Sequence, residues 1–273
     1  MPKARTRLRY TARTADKHEL YEAAVQNPDA DLDFVTRVYR QERGRAPQAI
    51  REDFCGTGYT SATWVRRNPA NTAWGLDLDR KTLDWGRKRH VAPLTPEQRS
   101  RVTLLERNVL NPGPETSRVD AVLAMNFSYW IFKTRDDLRR YFEVVHGSMN
   151  SKGIFFLDHY GGWQAMRAQT DRKRCRGFTY LWEQRWFGPV TFDFDCRIHF
   201  EFPDGTKMRD AFIYKWRQWQ IPEIRELLAE AGFRKSIVYW EGDDDNGGGN
   251  GIYRKATNPE VCPVHLAYIV AVR

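Results

Sequence analysis

The sequence lacks the features of a membrane protein and those of a disulfide-bonded or zinc-binding one. No apolar run approaches the ~20 residues that a membrane-spanning helix needs. The first twenty residues are basic and lack the apolar stretch of a secretion signal. The 273-residue chain has only four cysteines, and they are too far apart for paired metal ligands: Cys55, Cys175, Cys196 and Cys262. We therefore expect a cytoplasmic protein with free thiols and without a metal site.

The sequence also lacks internal repeats, and its charge is unbalanced, with a formal net charge of +9. Six basic residues form an N-terminal arm: Lys3, Arg5, Arg7, Arg9, Arg13 and Lys17. Clustered cations of this kind can neutralise phosphates, which keeps a nucleic-acid partner open as an alternative. The other basic residues are interspersed with acids, as on a solvated surface. A nucleic acid is therefore not the expected partner.

Short apolar runs alternate with helical stretches between about residues 49 and 158. Strands are predicted at residues 74–78, 102–105, 120–125 and 154–157, and a helix follows Thr134 as its N-cap. Two helices are predicted within residues 16–43, ending at Gly44. This alternation predicts a parallel sheet with helices on both faces.

The hydrophobic period changes to two after residue 160, and three such runs are separated by turns containing Gly or Pro. They predict a three-stranded antiparallel meander with one aromatic face. A helix over residues 222–231 and strands over residues 236–240 and 265–272 complete the chain.

The predicted fold is α/β, a doubly wound, seven-stranded, mostly parallel sheet with the meander inserted. We interpret residues 1–273 as a single domain. Its parts are an arm and helical cap (1–45), a core (46–162), the insertion (163–219) and the C-terminal helix and strands (220–273).

A glycine-containing turn, Cys55-Gly56-Thr57-Gly58, stands between a predicted strand and the next helix. Such a turn lets a ligand approach the backbone and directs helix N–H groups toward it. Asp77 follows at the end of the next strand, where a carboxylate can accept hydrogen bonds from ribose hydroxyls. These features alone are compatible with dinucleotide binding as well.

Glu52-Asp53-Phe54-Cys55-Gly56-Thr57-Gly58, followed by Gly75-Leu76-Asp77, resembles motifs I and II of the class I S-adenosylmethionine-dependent methyltransferases. Nicotinamide enzymes rarely carry Cys-Gly-Thr-Gly. The resemblance implies S-adenosyl-L-methionine as cofactor, with Gly56 and Gly58 along its methionine and ribose parts, Asp77 on the ribose, and Glu52 orienting the amino end or supporting the loop. The full set of implied cofactor contacts is Glu52, Asp53, Cys55, Gly56, Thr57, Gly58, Asp77, Leu78, Asn108, Val109 and Asn126.

Two features of this segment depart from the family pattern. Phe54 replaces its first glycine, and the strand before it is more charged than a central strand should be. Asp53 can therefore share or take the role assigned to Glu52. The alternative for the whole segment is a capping turn in another α/β fold.

The acceptor is expected near two segments, residues 125–130 and 158–162, that follow the fourth and fifth strands. Asn126-Phe127-Ser128 resembles a stretch of glycine-type N-methyltransferases. His159 is the candidate general base, since its side chain titrates nearest neutral pH. The candidate catalytic residues are His159, Tyr160 and Tyr129. The candidate substrate contacts are Ser128, Trp130, Asp158, Tyr180, Trp182, Tyr214 and Trp216. The alternative is that His159, Tyr160 and most of the meander rings are ordinary packing residues.

The sequence thus predicts methyl transfer to a nitrogen or oxygen of a small molecule, with an amine favoured. A tRNA or rRNA methyltransferase, or a catalytically inactive cofactor-binding partner subunit, remain the alternatives. The loop containing Asp243, Asp244 and Asp245 either attracts a cationic acceptor or is simply solvated. The acceptor and the oligomeric state are not fixed by the sequence.

Overall fold

The computed structural model describes residues 10–244 and 248–273. The predictions for Lys3, Arg5, Arg7, Arg9 and Asp245 lie outside the described residues. The chain forms two compact units. The smaller unit contains residues 10–27 and 165–218, and the larger contains residues 28–164, 219–244 and 248–273. The single-domain interpretation stays a prediction.

Twelve strands and seven α-helices occur in the described part of the chain. The strands are β1 (Ala49–Asp53), β2 (Thr72–Asp77), β3 (Val102–Glu106), β4 (Val119–Ala124), β5 (Met149–Gly161), β6 (Gln169–Cys175), β7 (Phe178–Phe187), β8 (Asp193–Glu201), β9 (Lys207–Arg217), β10 (Lys235–Asp243), β11 (Gly249–Lys255) and β12 (His265–Val272). The helices are α1 (Lys17–Ala24), α2 (Pro28–Arg43), α3 (Tyr59–Arg67), α4 (Arg80–Gly86), α5 (Pro96–Arg99), α6 (Arg135–Ser148) and α7 (Ile221–Glu230). None of these described helices is long and apolar enough to cross a membrane.

The larger unit is built on a sheet with the strand order β11-β10-β12-β5-β4-β1-β2-β3. Strands β1 to β5 are parallel, and β12 lies antiparallel between β5 and β10. The chain runs outward from β1 through β2 to β3 and then returns to β4 on the other side of β1. This reversal creates a crevice at the carboxyl ends of β1 and β4, the position where doubly wound sheets bind ligands.

Helices cover both faces of this sheet. On one face, α2 and α3 bury Leu32, Val35 and Trp64 in a core that includes Phe156. On the other, Phe142 of α6 meets Phe155 at a ring distance of 5.8 Å. Because successive residues of β5 point to opposite faces, Phe156 packs against the helices on one face and Phe155 packs against α6 on the other. The predicted doubly wound α/β class is confirmed.

The smaller unit is a four-stranded antiparallel sheet with the order β6-β7-β8-β9. Its apolar face packs on α1, where Leu20 and Ala24 are buried with Ile198 and Phe200. The opposite face carries ion pairs, including Arg197 with Asp195. The alternating side chains of β8 therefore form one apolar and one charged face, as the sequence pattern predicted. Helix α1 covers much of the apolar face.

The strand counts are corrected from seven to eight in the large sheet and from three to four in the small one, within the described residues. The added strands, β6 and β11, lie at sheet edges. Gln169–Cys175 is mostly charged and exposed, and Gly249–Lys255 starts in a glycine-rich stretch. Neither has the apolar alternation that reveals a strand from sequence, because an edge strand needs little burial.

Candidate active site

The glycine turn lies directly after β1 at the crevice of the large sheet. The N–H of Gly58 donates to the carbonyl of Cys55 over 2.8 Å, and the Cys55 N–H donates to the Leu76 carbonyl over 2.9 Å. The N–H of Gly56 donates to Asp77 Oδ2 over 2.8 Å. The turn is therefore tied to the end of β2 at two points.

The glycines of this region serve different purposes. Gly56 has a φ of +53°, and a Cβ there would meet open space. A Cβ on Gly58, at φ +67°, would approach a Leu104 methyl carbon at 2.5 Å. A Cβ on Gly86 of α4 would lie 1.9 Å from the Thr57 carbonyl oxygen. Gly58 and Gly86 thus allow close packing, whereas Gly56 leaves the outer side of the turn accessible.

Phe54 occupies the place of the first family glycine and keeps the glycine-like conformation, with a φ of +57°. A left-handed conformation costs a non-glycine residue on the order of 1–2 kcal/mol. The Phe54 ring packs near Tyr141, with ring centroids 5.6 Å apart. Ring packing offsets the backbone strain, which explains how this position accepts a phenylalanine.

Glu52 supports the helix that follows the turn. Its Oε2 accepts hydrogen bonds from the N–H of Ser61 at 2.9 Å and from the Ser61 hydroxyl at 2.6 Å. Burial of the carboxyl raises the pKa of Glu52 to about 7, against the lowering effect of these bonds. Of the two roles the resemblance implied, the geometry favours support of the loop.

The unexpected charge in β1 is an internal ion pair. Arg51 donates from Nε to Asp53 Oδ1 at 2.8 Å and from Nη2 to Oδ2 at 3.1 Å. Two residues of α6 bind this pair: the Tyr141 hydroxyl donates to Asp53 at 2.9 Å, and Arg51 donates to the Ser148 hydroxyl at 2.7 Å. Both charged side chains are fully buried. The geometry gives Asp53 a structural role, and its contact with a cofactor stays a prediction.

The remaining predicted cofactor positions cluster at the carboxyl ends of β2 and β3. Leu78 follows β2 and is 64% exposed. Asn108 is exposed and its Oδ1 accepts from the Leu110 N–H at 2.8 Å, while Val109 is buried. Cys55 and Thr57 of the glycine turn are buried, and their contact with a cofactor stays a prediction.

Several solved structures have a fold similar to that of this chain. An S-adenosylmethionine-dependent methyltransferase from Clostridium acetobutylicum matches with a TM-score of 0.66 and 15% identity, over 93% of this chain and 96% of that chain. An amino pentose methyltransferase from Micromonospora echinaspora matches with a TM-score of 0.65 and 16% identity, over 94% and 95%. A sugar N-methyltransferase from a Streptoalloteichus species matches with a TM-score of 0.62 and 16% identity, over 100% and 98%.

This chain has the fold of the S-adenosylmethionine-dependent methyltransferases. No protein-family model and no curated protein matches its sequence. The motif resemblance and the fold therefore agree, although the sequence identity is low. The glycine turn and Asp77 occupy the crevice of this methyltransferase fold.

The loop after β4 carries the predicted acceptor residues. Asn126 and Phe127 are both left-handed, with φ of +58° and +56°, and a 3-10 turn, Ser128–Ile131, follows. Ser128 Oγ donates to the Met125 carbonyl at 2.9 Å. Trp130 is completely buried. Of these, Asn126 and Ser128 are partly exposed at the sheet edge, whereas the Trp130 ring is a core residue.

Asp158 is hydrogen-bonded to the loop after β4 through both its carboxylate and its backbone carbonyl. Asp158 Oδ2 accepts from the Asn126 N–H at 2.6 Å and Oδ1 from the Phe127 N–H at 2.8 Å. The Tyr129 hydroxyl donates to the Asp158 carbonyl at 2.9 Å, and Tyr129 is fully buried. Burial raises the pKa of Asp158 to about 7 and that of Tyr129 well above its usual value.

His159 lies on the opposite face of β5, and it is only 1% exposed. Its Nε2 is 2.9 Å from the Trp219 carbonyl, to which it must donate, and its ring stacks on His265 at 5.3 Å. Burial lowers the pKa of His159 to about 3. Its geometry is that of a neutral packing residue, and the general-base role stays an untested prediction. Tyr160 is 8% exposed, with its ring 5.9 Å from that of Phe127.

The meander residues lie in the smaller unit. Tyr180, Trp182 and Tyr214 pack against the apolar cluster around α1, and Trp216 stacks on Tyr214 at 4.2 Å. This packing accounts for most of their apolar surface. Their role as substrate contacts stays a prediction.

Sequence reasoning missed Asp31 of α2. Its carboxylate accepts a hydrogen bond from the Tyr268 hydroxyl of β12, and burial raises the pKa of Asp31. Tyr268 pairs with Asp158 across β12 and β5, so Asp31 lies at the same end of the sheet as the loop residues. The one signal in the sequence was a carboxylate on the otherwise apolar side of α2.

Proposed function

We propose that this protein transfers a methyl group from S-adenosyl-L-methionine to a small-molecule amine. The observation that carries the proposal is the bond between Gly56 and Asp77 at the crevice of the sheet. It sets a carboxylate beside a turn whose outer side is open. This combination suits a nucleoside whose ribose binds the carboxylate and whose amino-acid part passes along the turn.

The residues present fit the cofactor. Asp77 uses each carboxylate oxygen once, for the N–H of Gly56 and of Asp79, and a carboxylate can accept about four bonds. Two acceptor positions therefore remain for ribose hydroxyls. The exposed Leu78 next to it offers an apolar surface for a base, and Asn108 follows the adjacent strand. Open space at Gly56 leaves room for the amino-acid part.

When bound, S-adenosylmethionine supplies a methyl group on a sulfonium, which a nucleophile can displace. The protein's contribution to such a reaction is alignment and exclusion of water. Asn126 lies at the carboxyl end of β4 and is partly exposed, and the described hydrogen bonds do not occupy its side-chain amide. This amide is the group best placed to orient an acceptor.

Two observations favour nitrogen over oxygen. Carboxyl groups of Asp31 and Asp158 lie partly exposed near the loop, and their ionised forms would attract the cationic form of an amine, which must lose its proton before its nitrogen can attack the methyl group. Several solved structures with this fold are described as N-methyltransferases of sugars and of a glycopeptide. Within residues 10–244 and 248–273, the tRNA or rRNA alternative has no structural observation of its own in its favour.

Two measurements test the proposal. Calorimetry should show binding of S-adenosylmethionine and of its demethylated product, with no comparable binding of NAD. Incubation with isotopically labelled S-adenosylmethionine and a metabolite library should then label an amine. Binding of NAD without binding of S-adenosylmethionine would overturn the proposal. Strong, salt-sensitive RNA affinity that disappears when residues 1–13 are deleted would favour the RNA alternative.

A further inference from the structure

The Asp158 carboxylate holds two consecutive backbone N–H groups of the neighbouring loop. Its bonds of 2.6 Å to Asn126 and 2.8 Å to Phe127 use one oxygen each. Charge-assisted bonds of this kind are shorter and about twice as strong as neutral ones. One side chain at the end of β5 thus determines the backbone conformation after β4.

The conformation that Asp158 holds is a strained one. Phe127, at a φ of +56°, costs on the order of 1–2 kcal/mol, and Asn126, at +58°, costs less because asparagine adopts this conformation more readily. A loop with this sequence would relax toward ordinary φ values if its N–H groups had no common acceptor. Strained backbone retained by a specific contact at a sheet edge is typical of sites that require one geometry.

The rest of the loop is tied down by other bonds, which isolates the effect of Asp158. The Tyr129 hydroxyl binds the Asp158 carbonyl, and Ser128 Oγ binds the Met125 carbonyl. These bonds do not involve the Asp158 carboxylate. Changing the carboxylate therefore alters the Asn126–Phe127 pair and leaves the anchors around it in place.

We infer that Asp158 is a positioning residue for methyl transfer: its carboxylate holds Asn126 and Phe127 in the left-handed conformation that presents the Asn126 amide to the acceptor. The inference rests on the proposed function. It also revises the predicted role of Asp158, which would act through the loop and not by touching substrate.

Protonation supplies a signature of this role. A neutral carboxylic acid can no longer accept strongly from two N–H groups with both oxygens, since one oxygen becomes a donor. Burial raises the pKa of Asp158 to about 7, so this loss falls within an accessible pH range. The titratable groups that act on it are Asp31 of α2, Tyr253 of β11, Tyr268 of β12 and Tyr129 of the loop.

The chain offers a matched control. Asp120, at the amino end of β4, also accepts two consecutive backbone N–H groups, from Gln48 at 2.7 Å and Ala49 at 3.1 Å. It lies at the opposite edge of the same sheet. Asp158→Asn and Asp120→Asn therefore both weaken a carboxylate that holds two backbone N–H groups, one at the proposed site and one away from it, and Asp120→Asn additionally removes the ion pair with Arg45.

The test measures transfer of a labelled methyl group to a panel of amino sugars and aliphatic amines, together with S-adenosylmethionine affinity and melting temperature. Asp158→Asn should lower kcat by about 10–100-fold, the range expected of a misplaced reacting group, and change cofactor affinity by less than about threefold. Asp120→Asn should leave kcat within about twofold even at an equal or larger loss of melting temperature. In the double variant with Asn126→Ala, the losses should not add, because Asp158 acts through Asn126.

Three results would overturn the inference: kcat of Asp158→Asn within about twofold of wild type, additive losses in the double variant, or equal losses of kcat from both aspartate variants. If Asp158→Asn does not fold, amide proton shifts of Asn126 and Phe127 in the wild type decide. The two amide shifts should move together as the shared carboxylate titrates, and independent shifts of the two amides contradict the inference. Wild-type protein that binds no S-adenosylmethionine would instead refute the proposed function.

Discussion

The N–H of Gly56 donates to the carboxylate of Asp77 over 2.8 Å, joining residues 21 positions apart. This bond holds the turn after β1 against the end of β2. It also orients a carboxylate toward the crevice of the sheet. The proposed cofactor site depends on this pair more than on any other contact.

Replacing Asp77 with Ala should weaken S-adenosylmethionine binding by about 10–150-fold for each ribose hydrogen bond lost, since each hydrogen bond to a charged group contributes about 1.5–3 kcal/mol. Calorimetry measures the change. Asp79→Ala is the control, because Asp79 caps α4 by accepting from the Lys81 N–H at 2.9 Å. Its loss should lower stability by about 1 kcal/mol and leave affinity unchanged. An unaltered dissociation constant for Asp77→Ala would move the ribose contact elsewhere.

Gly56→Ala should weaken cofactor binding more than it lowers the melting temperature. A Cβ there enters the open side of the turn, where the cofactor is proposed to lie. Gly44→Ala is the matched variant, since Gly44 has a φ of +74° and nothing within 4 Å of an added Cβ. Both changes carry a similar backbone penalty. Equal effects of the two on affinity would show that the outer side of Gly56 does not face the cofactor.

Glu52 should make stability depend on pH. Burial raises the pKa of Glu52 to about 7 in the folded state, against about 4.3 in an unfolded chain. A raised pKa means that the folded state binds the proton more tightly, so this contribution is fully present below pH 4 and is lost as pH rises through 7. Glu52→Gln should therefore gain stability relative to wild type between pH 5 and pH 8.

Denaturant unfolding at a series of pH values measures this difference. Glu226→Gln changes an exposed glutamate on α7 and should show no comparable trend. A constant difference between Glu52→Gln and wild type across the range would mean that Glu52 is ionised in the folded protein throughout.

His159→Ala separates the two roles considered for this residue. General base catalysis predicts a loss of about 10²–10⁴ in rate. The observed burial and the bond to the Trp219 carbonyl instead predict a loss of about 2–4 kcal/mol in the free energy of unfolding, with turnover of the folded fraction within about tenfold. Unfolding curves and rates at a temperature well below melting distinguish these results.

The backbone geometry around the glycine turn was predictable because its signals are local. Gly56, Gly58 and Asp77 lie at the ends of two adjacent strands, and their spacing is visible in the sequence. The acceptor side was less so. Asp158 was predicted as a substrate contact on the ground that it follows the predicted strand 154–157, but it lies within β5, and its partners are backbone atoms 31 and 32 residues away, which no side-chain pattern reveals.

Adjacent residues that were assigned to one predicted site lie on different faces of the sheet. Asp158 and His159 are adjacent, yet they face opposite sides of β5 because side chains alternate along a strand. Only one of them lies on the face with Tyr268 and Asp31. Asp31 itself went unnoticed since its partner is 237 residues away. Contacts between distant segments depend on the tertiary arrangement, which composition and periodicity do not encode.

The smaller unit joins residues 10–27 to residues 165–218, with the whole of residues 28–164 between them. On the ribosome, α1 leaves the exit tunnel long before the strands that bury Leu20 and Ala24 are made. At about 5–20 residues per second, that interval lasts on the order of ten seconds. During synthesis the apolar residues of α1 therefore lack their final cover until the strands of the smaller unit have been made.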